Sequence, residues 1–457
     1  MNAPEPLQPA RLKTLLVLAW PIIISRSSQV VVGLCDAVMV AHLGKAALAA
    51  TTTGAFNAFA LLILPMGVVF IVSSFTSQLF GSGDALGARR FGFYGLAVAG
   101  LAQVFSLLGL LGAPWVLARL GYAEDVRMLM ASYLNLRLLS GGAAIGIEAL
   151  ANYYGGLGRT RLPMVASVTA MVLNVLGCWL FIDGHLGAPA MGVAGSGLAS
   201  ALATNIAFVG LLGFFLYEGR ALGRVVPRLS GREFLRMLRF GIPSGFNWFL
   251  EFFAFNFFIN VVVVGLGTSA LAAMMAVLQV NSVSFMPAFG MASAGAILVG
   301  QSIGAGQKDR VPGIVWLTFK ANAVWQTVVG LAYVAIPAVL FRPFLGDDVD
   351  RDAFLAVGVR MLTLSAAWQL FDATVNTVAE ALRAAGDTAF MLWARVVVAW
   401  ALFVPGSYLT VRVMGGGDVV AVAWVVVYLA VLAVVLTVRF RRGAWRKLQL
   451  VDPLASG

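Results

Sequence analysis

Four carboxylates lie inside apolar stretches long enough to cross a bilayer: Asp36, Glu148, Glu251 and Asp372. Glu251 is the extreme case. It sits in GIPSGFNWFLEFFAFNFFINVVVVGLG, residues 241–267, a stretch with no Lys, Arg or Asp. At about 1.5 Å of rise per residue it lies roughly fifteen ångströms or more from either end, where an unpaired ionised group costs several kcal/mol. Asn247 precedes it by one helical turn and Phe255 follows by one, with Trp248, Phe252 and Phe258 close by. An acid among aromatics is penalised while charged and so invites a proton or a cation. Asp372 belongs to a polar stripe of Gln369, Asp372, Asn376 and Glu380, spaced i, i+3, i+7 and i+11, which covers one helix face. In lipid that face turns to the protein interior or to water. The chemistry these residues suit is a proton or cation site shared by Glu251 and Asp372. Amide oxygens of Asn247, Gln369 or Asn376 would complete oxygen coordination if the ion is Na+. The competing reading pairs each acid with an intramembrane base, Arg26, Arg137 or Arg395, and leaves it only the task of holding helices together.

Asp36 lies about seven residues, or roughly ten ångströms, before the end of its span at Leu43 and is expected to face the outer half of a cleft. Glu148, followed by Asn152, Tyr153 and Tyr154, suits either a lining or an interfacial aromatic belt. Phe255, Phe258, Met286 and Phe289 belong to a Phe- and Met-rich cluster that could hold flat apolar cations by dispersion and cation–π contact. Most of that cluster is expected to face lipid or neighbouring helices.

The elements that position these groups follow from composition. The chain of 457 residues is 60% hydrophobic and 11% charged, far more apolar than soluble domains, and reads as an all-α polytopic membrane protein. Apolar runs of spanning length fall at about 14–43, 46–80, 91–113, 128–154, 162–183, 191–216, 234–266, 270–300, 314–341, 354–382, 389–411 and 418–438. That predicts twelve helices. A polar link over 217–233 divides them into a six-helix lobe over 14–216 and another over 234–438, with tails at 1–13 and 439–457. Most Lys and Arg fall on one side if both termini are cytoplasmic, so the net charge of +11 is a topology device rather than a nucleic-acid footprint. Basic residues from Arg439 to Lys447 are expected to meet anionic lipid headgroups. Cys35 and Cys178 lie in apolar segments, which argues against a disulfide framework. No Walker A loop, GxSxG elbow or HExxH motif occurs, so the chain does not read as an enzyme, and no cofactor is expected beyond a coupling ion.

The halves repeat. Leu43–Ala50 matches Leu266–Ala273, and Gln78–Gly83 matches Gln301–Gly306, both at an offset of 223; Pro21 with Pro243 and Pro65 with Pro287 agree at 222. Six crossings per copy give a parallel repeat about an axis normal to the membrane. Such a duplication predicts a mid-membrane cleft between two bundles, the basis of a secondary transporter. At the same offset Glu251 matches Ser28, and Asp36 meets a Phe or Ile region, so these acids are additions to each lobe rather than parts of the scaffold.

Asp36 in CDAVMVAHLG, Glu251 in IPSGFNWFLEFF, Asp372 in WQLFDATVNTVAEALRAAGDT, and Gly158-Arg159-Thr160-Arg161 followed by Asn174 together resemble the multidrug and toxic compound extrusion (MATE) family, nearest its bacterial NorM-type branch. The resemblance covers nearly the whole chain. It implies antiport, with inward Na+ or H+ driving export of cationic lipophilic drugs or dyes by a monomer in a bacterial inner membrane. By position, Glu251 and Asp372 resemble second-lobe cation-site acids, and Asp36 with Asn174 resembles a first-lobe site assigned to proton coupling. Glu148 departs from the pattern, standing where an uncharged polar residue is usual. The runner-up reading is a lipid-linked saccharide flippase of the same superfamily, which would call for a strongly basic cleft.

Overall fold

The computed structural model describes residues 11–119, 121–221, 227–344 and 351–451. Much of the tail expected at 1–13, the middle of the 217–233 link and the end of the 439–457 tail lie outside the described residues. Among the described residues, eleven helices are long and apolar enough to cross a membrane: α1 (Leu12–Ala41), α2 (Lys45–Gly81), α3 (Ala85–Leu117), α4 (Glu124–Gly156), α5 (Arg161–Ile182), α6 (Val193–Arg220), α7 (Gly231–Leu266), α8 (Thr268–Gly304), α10 (Phe354–Ala384), α11 (Thr388–Val413) and α12 (Asp418–Arg441). The twelfth, α9, is a bent pair, Lys308–Ala335 and Pro337–Phe344, whose two parts meet at 90°. The run expected over 314–341, in which Pro337 is a candidate hinge or kink, breaks there because Pro337 supplies no N–H and forces the preceding residue out of the helical region. Ile336 accordingly has φ −132° and ψ 39°.

Lipid explains the outer faces. On α3, Leu101, Val104, Phe105, Leu108, Leu111 and Trp115 are all exposed at helical spacing, which is how a span presents one stripe to hydrocarbon.

The repeat is visible in backbone geometry. Gly44 and Gly267 open α2 and α8 with φ of 109° and 99°, and Gly158 and Gly386 precede α5 and α11 with φ of 76° and 89°, values that favour glycine. A single 3₁₀ turn interrupts α4 at Leu138–Ser140 and α10 at Ala366–Trp368. In α10 it ends immediately before Gln369, the first residue of the polar stripe.

The chain divides into two compact units, one of residues 21–245 and the other of residues up to 20 together with 246–452. They are called the first and second lobe below. The first lobe packs Met130, Tyr133, Leu138 and Cys178 in its core. Its α5 and α6 approach closely: a Cβ on Gly177 would lie 2.9 Å from the Cβ of Ala199, and one on Gly195 would lie 2.4 Å from the carbonyl oxygen of Phe181. Small residues permit that approach, and it sets Ser200 beside Asn174. The second lobe packs Phe258, Met361, Trp368, Phe403 and Tyr428.

Candidate functional site

In the first lobe, Asp36 of α1 is buried and accepts two hydrogen bonds, from Cys178 Sγ at 3.2 Å and from Ser200 Oγ at 3.1 Å. Asn174, one turn before Cys178 on α5, donates its Nδ2 to Ser200 Oγ at 2.8 Å. Its Oδ1 is buried without a hydrogen-bond partner among the described residues. The site therefore joins α1, α5 and α6 through neutral donors. It opens on a cavity of about 320 Å³ whose wall includes Asp36, Tyr133, Arg137, Glu148, Asn174 and Ser200. Glu148 is engaged: Arg26 donates to its two oxygens at 2.9 and 2.5 Å, and Asn152 Nδ2 adds a third bond at 3.1 Å. The extra charge of Glu148 is thus neutralised within the lobe, with the Arg26 guanidinium also lying 5.5 Å from the centre of the Phe70 ring.

In the second lobe, Glu251 of α7 forms an ion pair with Arg395 of α11 and accepts from the Tyr428 hydroxyl of α12 at 3.2 Å. The indole N–H of Trp400 donates to the Leu250 carbonyl at 3.1 Å, which fixes α7 against α11 beside the pair. Asp372 of α10 accepts from Gln326 Nε2 of α9 and from Asn376 Nδ2, both at 3.0 Å. Both bonds fall on Oδ2. Oδ1 has no protein partner among the described residues. Glu251 and Arg395 act electrostatically on Asp372, so two carboxylates and one guanidinium form one coupled group.

The residues expected to gather around Glu251 and Asp372 are distributed more widely. Asn376 does bond Asp372, but Gln369 donates instead to Asn281 Oδ1 at 3.0 Å. Asn247 is buried on α7 with its Oδ1 unpartnered among the described residues. Glu380 closes the stripe by pairing with Arg383 on its own helix. No group of three or more His, Cys, Asp or Glu is placed to hold a metal ion among the described residues, and the cation beside Glu251 is a guanidinium.

The aromatic residues divide too. Phe258 is 1% exposed in the second-lobe core, with its ring 5.0 Å from that of Phe403. Phe255 packs against Phe403 and Tyr428. Phe289 stacks on Phe285 and meets Trp248 edge-on, and Met286 is half-buried beside them. None of the four lines the first-lobe cavity.

Sequence reasoning had no hold on Ser200, Cys178, Gln326 or Tyr428 as partners of the acids. Their types are ordinary in apolar helices. The one available signal is the repeat, since Gln326 falls 223 positions after Gln103, which binds the broken part of α4 through the Gly142 N–H at 2.8 Å.

The MatE family profile matches residues 21–180 and again 243–409. The two matches begin at Pro21 and Pro243, the prolines that repeat between the lobes. Over its whole length the chain is 28% identical to the "Probable multidrug resistance protein NorM" of Mesorhizobium japonicum, covering 98% of that protein. It is 29% identical to the protein of the same name from Pseudomonas putida, with 96% of each chain covered. Among solved structures, an outward-facing multidrug resistance MATE family transporter of the MOP superfamily superposes with a TM-score of 0.87 at 19% identity, over 98% of this chain and all of that one. A MOP superfamily transporter from Pyrococcus furiosus gives 0.85 at 18% identity, over 97% of this chain and all of that one. With one profile met in each lobe over well more than half of its residues, this multi-pass membrane protein belongs to the MatE family of multidrug efflux transporters.

Proposed function

We propose that the chain exports amphiphilic organic cations, drugs or dyes, across a bacterial cytoplasmic membrane by antiport with H+ or Na+, with both termini inside. The observation that carries this reading is Asp372. Its Oδ2 is held by two amide donors while its Oδ1 has no protein partner among the described residues, and it belongs to a group that carries −1 when both carboxylates are ionised. One monovalent cation neutralises that group. A coupling ion and a cationic substrate therefore compete for the same uncompensated charge, and a ligand can shift a conformational equilibrium only through such differential interaction. Arg395 holds Glu251, leaving Asp372 as the carboxylate that exchanges its partner. Burial of the group in an apolar lobe strengthens the competition, because charges interact more strongly at low dielectric. The same acids count against the runner-up flippase, which calls for a basic cleft.

The test is efflux of ethidium from proteoliposomes under separately imposed Na+ and pH gradients. One of the two gradients should drive efflux, and Asp372→Asn should remove that dependence. The double variant Glu251→Gln with Arg395→Gln, which leaves no bare guanidinium, should weaken coupling as well. Gradient-driven efflux that survives Asp372→Asn unchanged would refute the assignment of Asp372.

A further inference from the structure

Besides Asp36 and the paired Glu148, the first-lobe cavity holds a charged group that the export reading does not use. Arg137 sits on its wall, directly before the 3₁₀ turn Leu138–Ser140 that interrupts α4. The turn fixes it. Its Nη1 donates to Ser140 Oγ at 2.7 Å, while the same hydroxyl donates to the Arg137 carbonyl at 2.9 Å. Tyr133, one turn earlier, is close enough to feel the guanidinium electrostatically.

A guanidinium has five N–H donors in a planar fork and no acceptor. One hydroxyl leaves most of that fork unused, and no carboxylate forms an ion pair with Arg137 among the described residues. The other intramembrane arginines are spent: Arg26 on Glu148, and Arg395 on Glu251. An intramembrane cation left without an acid, on the wall of a cavity, is expensive and marks a binding pathway. Arg137 and Asp36 are near enough to interact electrostatically, but Asp36 takes its hydrogen bonds from Cys178 and Ser200. Beside Asp36, Asn174 offers an unpartnered buried acceptor, Oδ1. The cavity thus presents acceptors at one place and an open donor fork at another, with its charges summing to zero once the Arg26–Glu148 pair is counted.

We propose that Arg137 is the anion-recognising group of this cavity, and that the cavity favours zwitterionic amphiphiles over purely cationic ones, taking the cationic end at Asp36 and Asn174 and a carboxylate at Arg137. A carboxylate accepts two parallel bonds from the guanidinium fork, a geometry no neutral ester reproduces. The apolar wall supplied by Phe59, Leu62 and Met66 suits the body of such a ligand. The proposal deepens the export reading and rests on it.

The test uses one scaffold with and without its anion: rhodamine B, which carries a carboxylate, and its ethyl ester, which is a plain cation. Binding of each to the purified full-length chain is measured by fluorescence polarisation, in the wild type, Arg137→Gln and Arg137→Lys. The wild type should bind the zwitterion about tenfold more tightly than the ester. Arg137→Gln should lose about tenfold for the zwitterion and leave the ester unchanged, and Arg137→Lys should keep part of the preference, since an ammonium holds the charge without the fork. An equal loss for both dyes in Arg137→Gln would make Arg137 a structural counter-charge to Asp36 and overturn the proposal. Absence of a preference in the wild type, or binding of neither dye, would overturn it as well. Efflux of the ester in proteoliposomes separates the two readings: if the ester is still driven out by a gradient while the carboxylate preference fails, the export reading stands and the role of Arg137 falls.

Discussion

The two lobes share a backbone plan and hold their intramembrane acids by opposite means. Asp36 in the first lobe is cradled by a thiol and a hydroxyl, neutral groups whose hydrogens rotate. Glu251 in the second is clamped by Arg395, a cation that cannot be deprotonated and cannot accept a hydrogen bond. A neutral cradle tolerates a change of charge on its acid, because a hydroxyl can turn from donor to acceptor. An ionic clamp does not tolerate it. Removing the charge from Glu251 strands a buried guanidinium. The same contrast recurs at the loops after the repeated glycines: Arg159 follows Gly158 and pairs with Glu218 at the end of α6, whereas Asp387 follows Gly386 and pairs with Arg439 at the end of α12. The bridge occupies equivalent places with its signs reversed. What the scaffold requires there is a tie between a loop and a helix end, and either polarity supplies it.

The sharpest way to break the comparison is at the clamp. Glu251→Gln should destabilise the protein by about 3 to 5 kcal/mol, the usual cost of removing one partner of a buried pair. Adding Arg395→Gln should return most of that loss, because the double variant buries no lone charge. Thermal unfolding of the purified single and double variants measures both quantities. If Glu251→Gln alone proves as stable as the double variant, the ion pair is not a clamp, and the two lobes hold their acids alike.

How much of this was legible in the sequence follows from the range of each signal. The spans could be read because hydropathy is local, and α7 and α10 were found with their acids in place. The break in α9 was half-legible: Pro337 marked a kink, but its 90° angle depends on what surrounds it. The shared Glu251–Asp372 site was the expectation. The structure adds Arg395, which was one of three candidate bases for any of the acids, and no spacing along the chain distinguishes partners 144 positions apart. Phe258 shows the limit of composition, since an aromatic near an acid reads the same whether it lines a cavity or fills the core. The cavity itself rests on hydroxyls and glycines of α5 and α6, residue types that carry no charge pattern to notice.

The reversed loop bridges differ in burial, and that sets the next effect. Asp387 is 5% exposed on its side chain while Glu218 is 22% and Arg159 is 46% exposed. Arg439→Ala should therefore cost about 2 to 3 kcal/mol by leaving a buried carboxylate without its partner, and Arg159→Ala about 0.5 kcal/mol, as for an exposed pair. Raising the salt concentration should narrow the cost of Arg159→Ala and barely alter that of Arg439→Ala, because screening reaches the exposed pair alone. Equal costs with equal salt dependence would mean that burial does not separate the two bridges.

The expected effect on stability at Asp36 is also small, and its smallness is the point. In Asp36→Asn the amide oxygen still accepts from one of the two donors, and the new Nδ2 can donate to Ser200 Oγ. The displaced Ser200 hydrogen then needs an acceptor. A turn of the Asn174 amide supplies one, since its Oδ1 is buried without a partner among the described residues and lies on the side chain that already touches Ser200. No charge is stranded in the cradle, so the change should shift stability by less than about 1 kcal/mol, against several at Glu251. Transport should not be spared in the same way if H+ is the coupling ion, because an amide cannot carry a proton through the cycle. Thermal unfolding with pH-driven ethidium efflux on one preparation reads both. A variant that loses stability as heavily as Glu251→Gln would show that the first-lobe acid is also held by charge, through Arg137, and the contrast between the lobes would fail.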